Sequence, residues 1–132
     1  MGLRSDVSTA SRVRSWALPA GVSALAVAAQ ASGVAGAWRY DRAGLAAGEL
    51  WRLVTAHAVH LGWTHMALNL AGLALVWLLV GGALGALEWA LVATVSLLAM
   101  DAGFWFLLPG LAWYVGLSGL LHGLLAGEPG QQ

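Results

Sequence analysis

The chain has 132 residues, of which 60% are hydrophobic and 9% charged, with six arginines, no lysine, no cysteine and zero net charge. Soluble domains carry about 25% charged residues, so this composition predicts a membrane protein. The dispersed arginines argue against nucleic-acid binding, the lack of lysine excludes a G-x-x-x-x-G-K phosphate loop, and the lack of cysteine excludes disulfides and thiolate metal sites.

The N-terminal part combines a polar segment with an uncharged run. Residues 1–15 contain three arginines, and we expect a cytoplasmic segment that is disordered or lies on the membrane surface. The uncharged stretch 16–38 spans about 33 Å as a helix, close to the ~30 Å hydrocarbon core, and is the first predicted spanning helix. The alternative is a signal peptide, because small residues near 31–37 imitate a cleavage site.

Three further apolar segments follow a polar connection at 39–62. We predict helices at about 63–81, 84–100 and 114–127, and these are separated by glycines and by a connection that contains Pro109. The last segment is short for a complete crossing. The sequence therefore predicts an all-α polytopic membrane protein, with a single transmembrane domain over 16–132.

The arginines also predict an orientation. Three of the six precede the first helix, so the positive-inside rule puts the N-terminus in the cytoplasm. Counting the crossings then puts the starts of the second and fourth predicted helices in the same, outer leaflet.

Polar residues gather at those two starts. His65 and Asn69 are four residues apart, hence on one helix face. Ser118, within Gly116-Leu117-Ser118-Gly119, opens the last helix, where free backbone N–H groups and the positive end of the helix dipole lie. Since polar groups at membrane depth are costly, we interpret them as a nucleophile facing groups that stabilise an anion.

These motifs resemble the rhomboid intramembrane serine proteases over about residues 45–127. The similarity is carried by three blocks: Gly48-Glu49-Leu50-Trp51-Arg52-Leu53-Val54-Thr55, then His60, His65 and Asn69 in the spacing H-x4-H-x3-N, then Gly116-Leu117-Ser118-Gly119. The finer patterns Leu68-Asn69-Leu70-Ala71-Gly72 and Trp113 to Gly123 are similar to the rhombosortase branch. That branch implies cleavage of exported proteins with C-terminal sorting tails at the inner membrane of Gram-negative bacteria.

The resemblance implies a role for each site residue. Ser118 would be the nucleophile, His65 and Asn69 would stabilise the oxyanion with the Ser118 N–H, and Glu49 and Arg52 would organise their loop. It implies no cofactor. A metal site built from the histidines is disfavoured because no cysteine or carboxylate sits at ligand spacing, and His57 and His60 are better read as residues that support the loop or lie at the interface.

The family's histidine base comes from a sixth helix, and no residue here matches it. We therefore expect a rhomboid-like bundle that lacks the last two family helices and has little activity as this chain. His122, one turn after Ser118, is the candidate base, with a packing role as the alternative. The smooth face of Gly119, Gly123 and Gly127 predicts a site for a partner helix.

Membrane lipid and a membrane-anchored protein substrate are the expected partners, and nucleic acid is not. The alternative function, in a different class, is a non-catalytic rhomboid-like module that binds transmembrane segments without cutting them.

Overall fold

The computed structural model describes residues 3–127, with side chains from Trp16 onward. In chain order the elements are α1 (Leu3–Ser32), α2 (Ala35–Trp38), β1 (Tyr40–Asp41), α3 (Arg42–Ala46), α4 (Arg52–Thr55), α5 (Trp63–Val80), α6 (Ala86–Ala102), a π-helical turn (Gly103–Leu107), β2 (Trp113–Tyr114) and α7 (Ser118–Ala126). The chain is an all-α membrane bundle, as its composition predicts, with one two-residue strand pair in the described part.

Among the described residues, two helical segments are long and apolar enough to cross a membrane: Trp63–Val80 and Ala86–Leu107. The apolar part of α1, Trp16–Ser32, is shorter. Both long segments turn rows of large apolar side chains outward, namely Leu68, Leu75, Leu78 and Leu79 on α5 and Leu87, Leu91, Val95 and Leu98 on α6. Hydrocarbon, rather than water, is the solvent that suits such a surface.

The main core lies between α5, α6 and α7. Its fully buried members include Leu73, Trp89 and Leu124. Trp89 stacks at a tilt on Trp77, with ring centroids 5.4 Å apart, and its indole N–H donates to the Gly81 carbonyl at 3.1 Å. This bond satisfies a polar group that could find no water inside the bundle.

The glycine face of α7 is covered by α6. A Cβ built on Gly119 would collide with the Met100 side chain, and one built on Gly123 would collide with Ser96. The next contact, between Gly127 and Val92, repeats the pattern one turn later. The helix that packs on this smooth face is therefore α6 of the same chain, which runs antiparallel to α7 and fits the glycine stripe in four-residue steps.

The helix bounds differ from the predicted ones mainly at glycines. The first helix extends back to Leu3, so that the backbone of most of the polar N-terminal segment is helical, and it ends at Ser32 instead of continuing to 38. Gly33 adopts φ +69° and breaks the run, since this conformation is easy only for glycine. Residues 1, 2 and 128–132 lie outside the described residues.

The later bounds shift as well. The second predicted helix, 63–81, corresponds to α5, Trp63–Val80, whereas the third runs from Ala86 to Ala102 and not 84–100. The fourth begins only at Ser118, because Trp113 and Tyr114 are extended and pair antiparallel with Asp41 and Tyr40. The predicted start at 114 is thus wrong by one turn.

The segment 36–60 is a compact polar connection that we call the loop frame. The Arg52 guanidinium bonds to the Glu49 carboxylate and donates to the carbonyls of Gly36 and Arg39, at 3.2 and 3.0 Å. Arg42 donates to four carbonyls at and just after the end of the segment Ala86–Leu107, those of Phe104, Trp105, Leu108 and Leu111. These charge-assisted bonds tie the loop frame to the π-helical turn that directly follows α6.

Candidate active site

Ser118 is the first residue of α7 and its side chain is exposed. The chain reaches it through Gly116, which adopts φ +120° and donates its N–H to the Ala56 carbonyl at 3.0 Å. The loop frame thus fixes the backbone two residues before the serine. At the start of a helix the Ser118 N–H has no intrahelical acceptor and stays free to meet an anion.

His65, on the first turn of α5, lies against this turn. A Cβ on Gly116 would be 3.1 Å from His65 Cε1 and 3.4 Å from Nε2, so that glycine is required for space as well as for its backbone conformation. His65 Nδ1 accepts from the Leu61 N–H at 3.2 Å. A neutral imidazole whose Nδ1 accepts carries its proton on Nε2, and this donor lies on the edge nearest the G-x-S turn.

Asn69 is buried one turn further along α5. Its amide Nδ2 donates to the His65 carbonyl at 2.9 Å. This contact ties Asn69 to the turn that carries His65. The two residues therefore form one unit, as their spacing predicts, and the starts of α5 and α7 meet at the same end of the bundle.

His122 does not contact the serine hydroxyl. Its Nδ1 is 2.7 Å from the Ser118 carbonyl oxygen, one turn back on the same helix. For that contact Nδ1 must be protonated, because a carbonyl only accepts. The Ser118 hydroxyl is instead 3.2 Å from the Tyr114 hydroxyl.

The sequence did not predict a role in the site for two residues, Tyr114 and Asp101. Tyr114 falls inside the predicted last helix, 114–127, and Asp101 directly follows the predicted third helix, 84–100. Asp101 Oδ1 is 3.3 Å from His57 Nε2, with side chains 7% and 4% exposed. An acidic residue this close to an apolar span is the signal that could have revealed the pair. Through this contact His57 joins the loop frame to the end of α6.

His60 is buried behind His65, with the two ring centroids 5.2 Å apart in an edge-to-face arrangement. Both of its ring nitrogens are buried without a hydrogen-bond partner in the described structure. Burial, reinforced by the neighbouring His65, lowers the pKa of His60 below its usual 6.5. His60 therefore stays neutral at physiological pH.

The described residues contain no group of three or more histidine, cysteine or carboxylate side chains that could hold a metal ion.

A comparison with protein families matches residues 47–128 to the Rhomboid domain. The match covers the loop frame from its second half onward, both long spanning segments and α7. No curated protein and no solved structure gave a significant match.

Proposed function

Because the chain belongs to the rhomboid family, we propose that it is built as an intramembrane serine protease with Ser118 as the nucleophile. In this reaction Ser118 Oγ attacks the carbonyl carbon of a peptide bond, its proton passes to a base, and the carbonyl oxygen becomes an oxyanion. The oxyanion then collapses, the C–N bond breaks as the base gives its proton to the leaving amine, and water hydrolyses the serine ester that remains.

His65 and Asn69 stabilise the oxyanion together with the Ser118 N–H. The observation that carries this proposal is the His65 ring edge, which bears the Nε2 proton and lies against Gly116 two residues before the nucleophile. Asn69 uses one amide proton on the His65 carbonyl, and its second N–H remains for the oxyanion. A donor of this kind contributes about 10²–10³-fold to the rate in other serine enzymes.

The substrate we propose is the membrane-anchored C-terminal tail of an exported protein, as in the rhombosortase branch. The enzyme would lie in the bacterial inner membrane with its N-terminus in the cytoplasm and with Ser118 toward the outer leaflet. This orientation is supported by the arginines that precede the apolar part of α1 and by the shared location of the two helix starts.

Labelling with a fluorophosphonate tests the proposal. Ser118 Oγ forms a bond to phosphorus, fluoride leaves, and the serine proton passes to base. We expect the chain in native membranes to be labelled slowly, Ser118→Ala to lose all labelling, and His65→Ala to label more slowly still. Thr94→Ala, on the outer face of α6, is the matched control that keeps full labelling.

The source of the base is the second part of the same test. The contact of His122 with the Ser118 carbonyl rather than with its hydroxyl favours low intrinsic activity. His122→Gln identifies His122 as the base if it abolishes labelling in a folded chain, and assigns it a helix-packing role if labelling persists. A wild-type chain that is folded, inserted and unlabelled would refute the protease proposal and favour the non-catalytic module.

A further inference from the structure

The hydroxyl of Tyr114 is the hydrogen-bond partner of the Ser118 hydroxyl, at 3.2 Å. The two residues are four apart, but they belong to different elements, because Tyr114 is in β2 and Ser118 begins α7. The contact therefore does not follow from helix periodicity. It depends on the turn at Gly116 that connects the strand to the helix.

Two ring contacts and one backbone pairing hold Tyr114 in place. The Phe104 ring is 4.7 Å away by centroids, and the His57 ring is 6.0 Å away. His57 is itself fixed by Asp101, while backbone pairing sets Tyr114 opposite Tyr40. These contacts favour the ring position that brings the Tyr114 hydroxyl to Ser118.

The direction of the bond follows from the chemistry of the serine. To become a nucleophile, Ser118 must give its own proton to a base, so Oγ can only accept from any other partner at that moment. The Tyr114 O–H then donates to an oxygen on which negative charge develops. Hydrogen bonds to ionised oxygens are shorter and stronger than those to neutral ones, and the stabilisation is therefore greatest in the transition state.

We propose that Tyr114 is a further catalytic residue of this site, which orients Ser118 Oγ and stabilises the charge that develops on it, with the His57–Asp101 pair positioning its ring. The proposal rests on the proposed function of Ser118. It requires no proton transfer through the tyrosine, which keeps its proton throughout.

A substitution that removes only the hydroxyl oxygen of Tyr114 tests this proposal. Tyr114→Phe keeps the ring and its packing on Phe104 but removes the donor, and we expect fluorophosphonate labelling of Ser118 to slow about tenfold, the effect of one hydrogen bond of ~1.4 kcal/mol. Tyr40→Phe is the matched control, because Tyr40 faces Tyr114 across the strand pair and its buried hydroxyl has no partner in the described structure. It should label at the wild-type rate. Equal rates for Tyr114→Phe and wild type would overturn the proposal.

A spectroscopic measurement separates this proposal from the proposed function. The chain has two tyrosines, so Tyr40→Phe leaves Tyr114 as the only one, and ¹³C at its phenol carbon gives one resonance. We expect Ser118→Ala in that background to move the resonance, because the phenol loses its partner. If the wild-type chain is not labelled, the protease proposal fails. The resonance then decides the Tyr114 contact separately: an unmoved resonance overturns this contact, and a shifted one supports it.

Discussion

The loop frame and the interface between α6 and α7 are held together in opposite ways. The frame depends on directed bonds, with Arg42 and Arg52 donating to carbonyls that no regular ladder satisfies. The helix interface depends on the absence of side chains at Gly119 and Gly123. The comparison teaches that the site is assembled from both, since the frame fixes Gly116 and His65 while the interface fixes the helix that begins at Ser118.

The largest effect is expected at the helix interface. Gly123→Val places a branched side chain on Ser96, close to its Cα, and the two backbones must separate. We expect the free energy of unfolding in detergent to fall by about 3 kcal/mol, the upper range for overpacking. Thermal melting measures it. Gly21→Ala is the control: nothing lies within 4 Å of its new Cβ, and a melting temperature that falls equally in both variants would contradict the packing argument.

A smaller effect is expected in the loop frame. Gly44→Ala brings a methyl group onto the Glu49 carboxylate and 2.6 Å from Arg52 Nε, so that Arg52 must leave its carbonyl acceptors. The expected cost is about 2 kcal/mol, the range for hydrogen bonds from a charged donor. Since the frame holds Gly116, labelling of Ser118 should slow as well. Gly36→Ala, with open space around its Cβ, should change neither property.

His60 provides a pH test of the buried side of the frame. Its pKa is lowered from 6.5 in the folded chain, so the unfolded chain takes up the proton first, and stability is present above pH 6.5 and lost as the pH falls below it. His60→Phe keeps the approximate shape of the ring and removes its two unpartnered nitrogens. We expect this variant to have a melting temperature that depends less on pH between about pH 7.5 and about pH 5. An unchanged pH slope in that variant would assign the effect to another group.

The smallest effect is expected at Asp41. The Gly44 N–H, which donates to Oδ1 at 3.0 Å, and the nearby Arg39 lower the pKa of this carboxyl below 3.8. Its contribution to stability is therefore present above pH 3.8 and lost as the pH falls through the folded pKa. Asp41→Asn keeps the helix cap and loses only a solvent-screened charge, so we expect a loss of about 0.5 kcal/mol at neutral pH. Chemical denaturation at two salt concentrations measures it, and a loss that salt does not reduce would argue against an electrostatic origin.

The sequence predicted those parts of the molecule that depend on short-range patterns. The apolar run that became α5 and the pairing of His65 with Asn69 follow from periodicity. The G-x-S-G motif also placed Ser118 near the opening of the last helix, although the predicted start at 114 lay one turn too early. The Rhomboid domain match covers the same motifs. These features lie within a few turns of chain, where spacing is sufficient.

The contacts that distinguish the site join distant segments, and spacing could not reveal them. The sequence predicted that Gly119, Gly123 and Gly127 form a smooth face, but only the tertiary structure placed Met100, Ser96 and Val92 on it. It likewise placed Tyr114 in a strand rather than in a helix, and set His57 against Asp101. Local patterns determined which segments form apolar helices and where polar groups gather. The contacts between distant segments depended on which surfaces pack closely enough to exclude other neighbours.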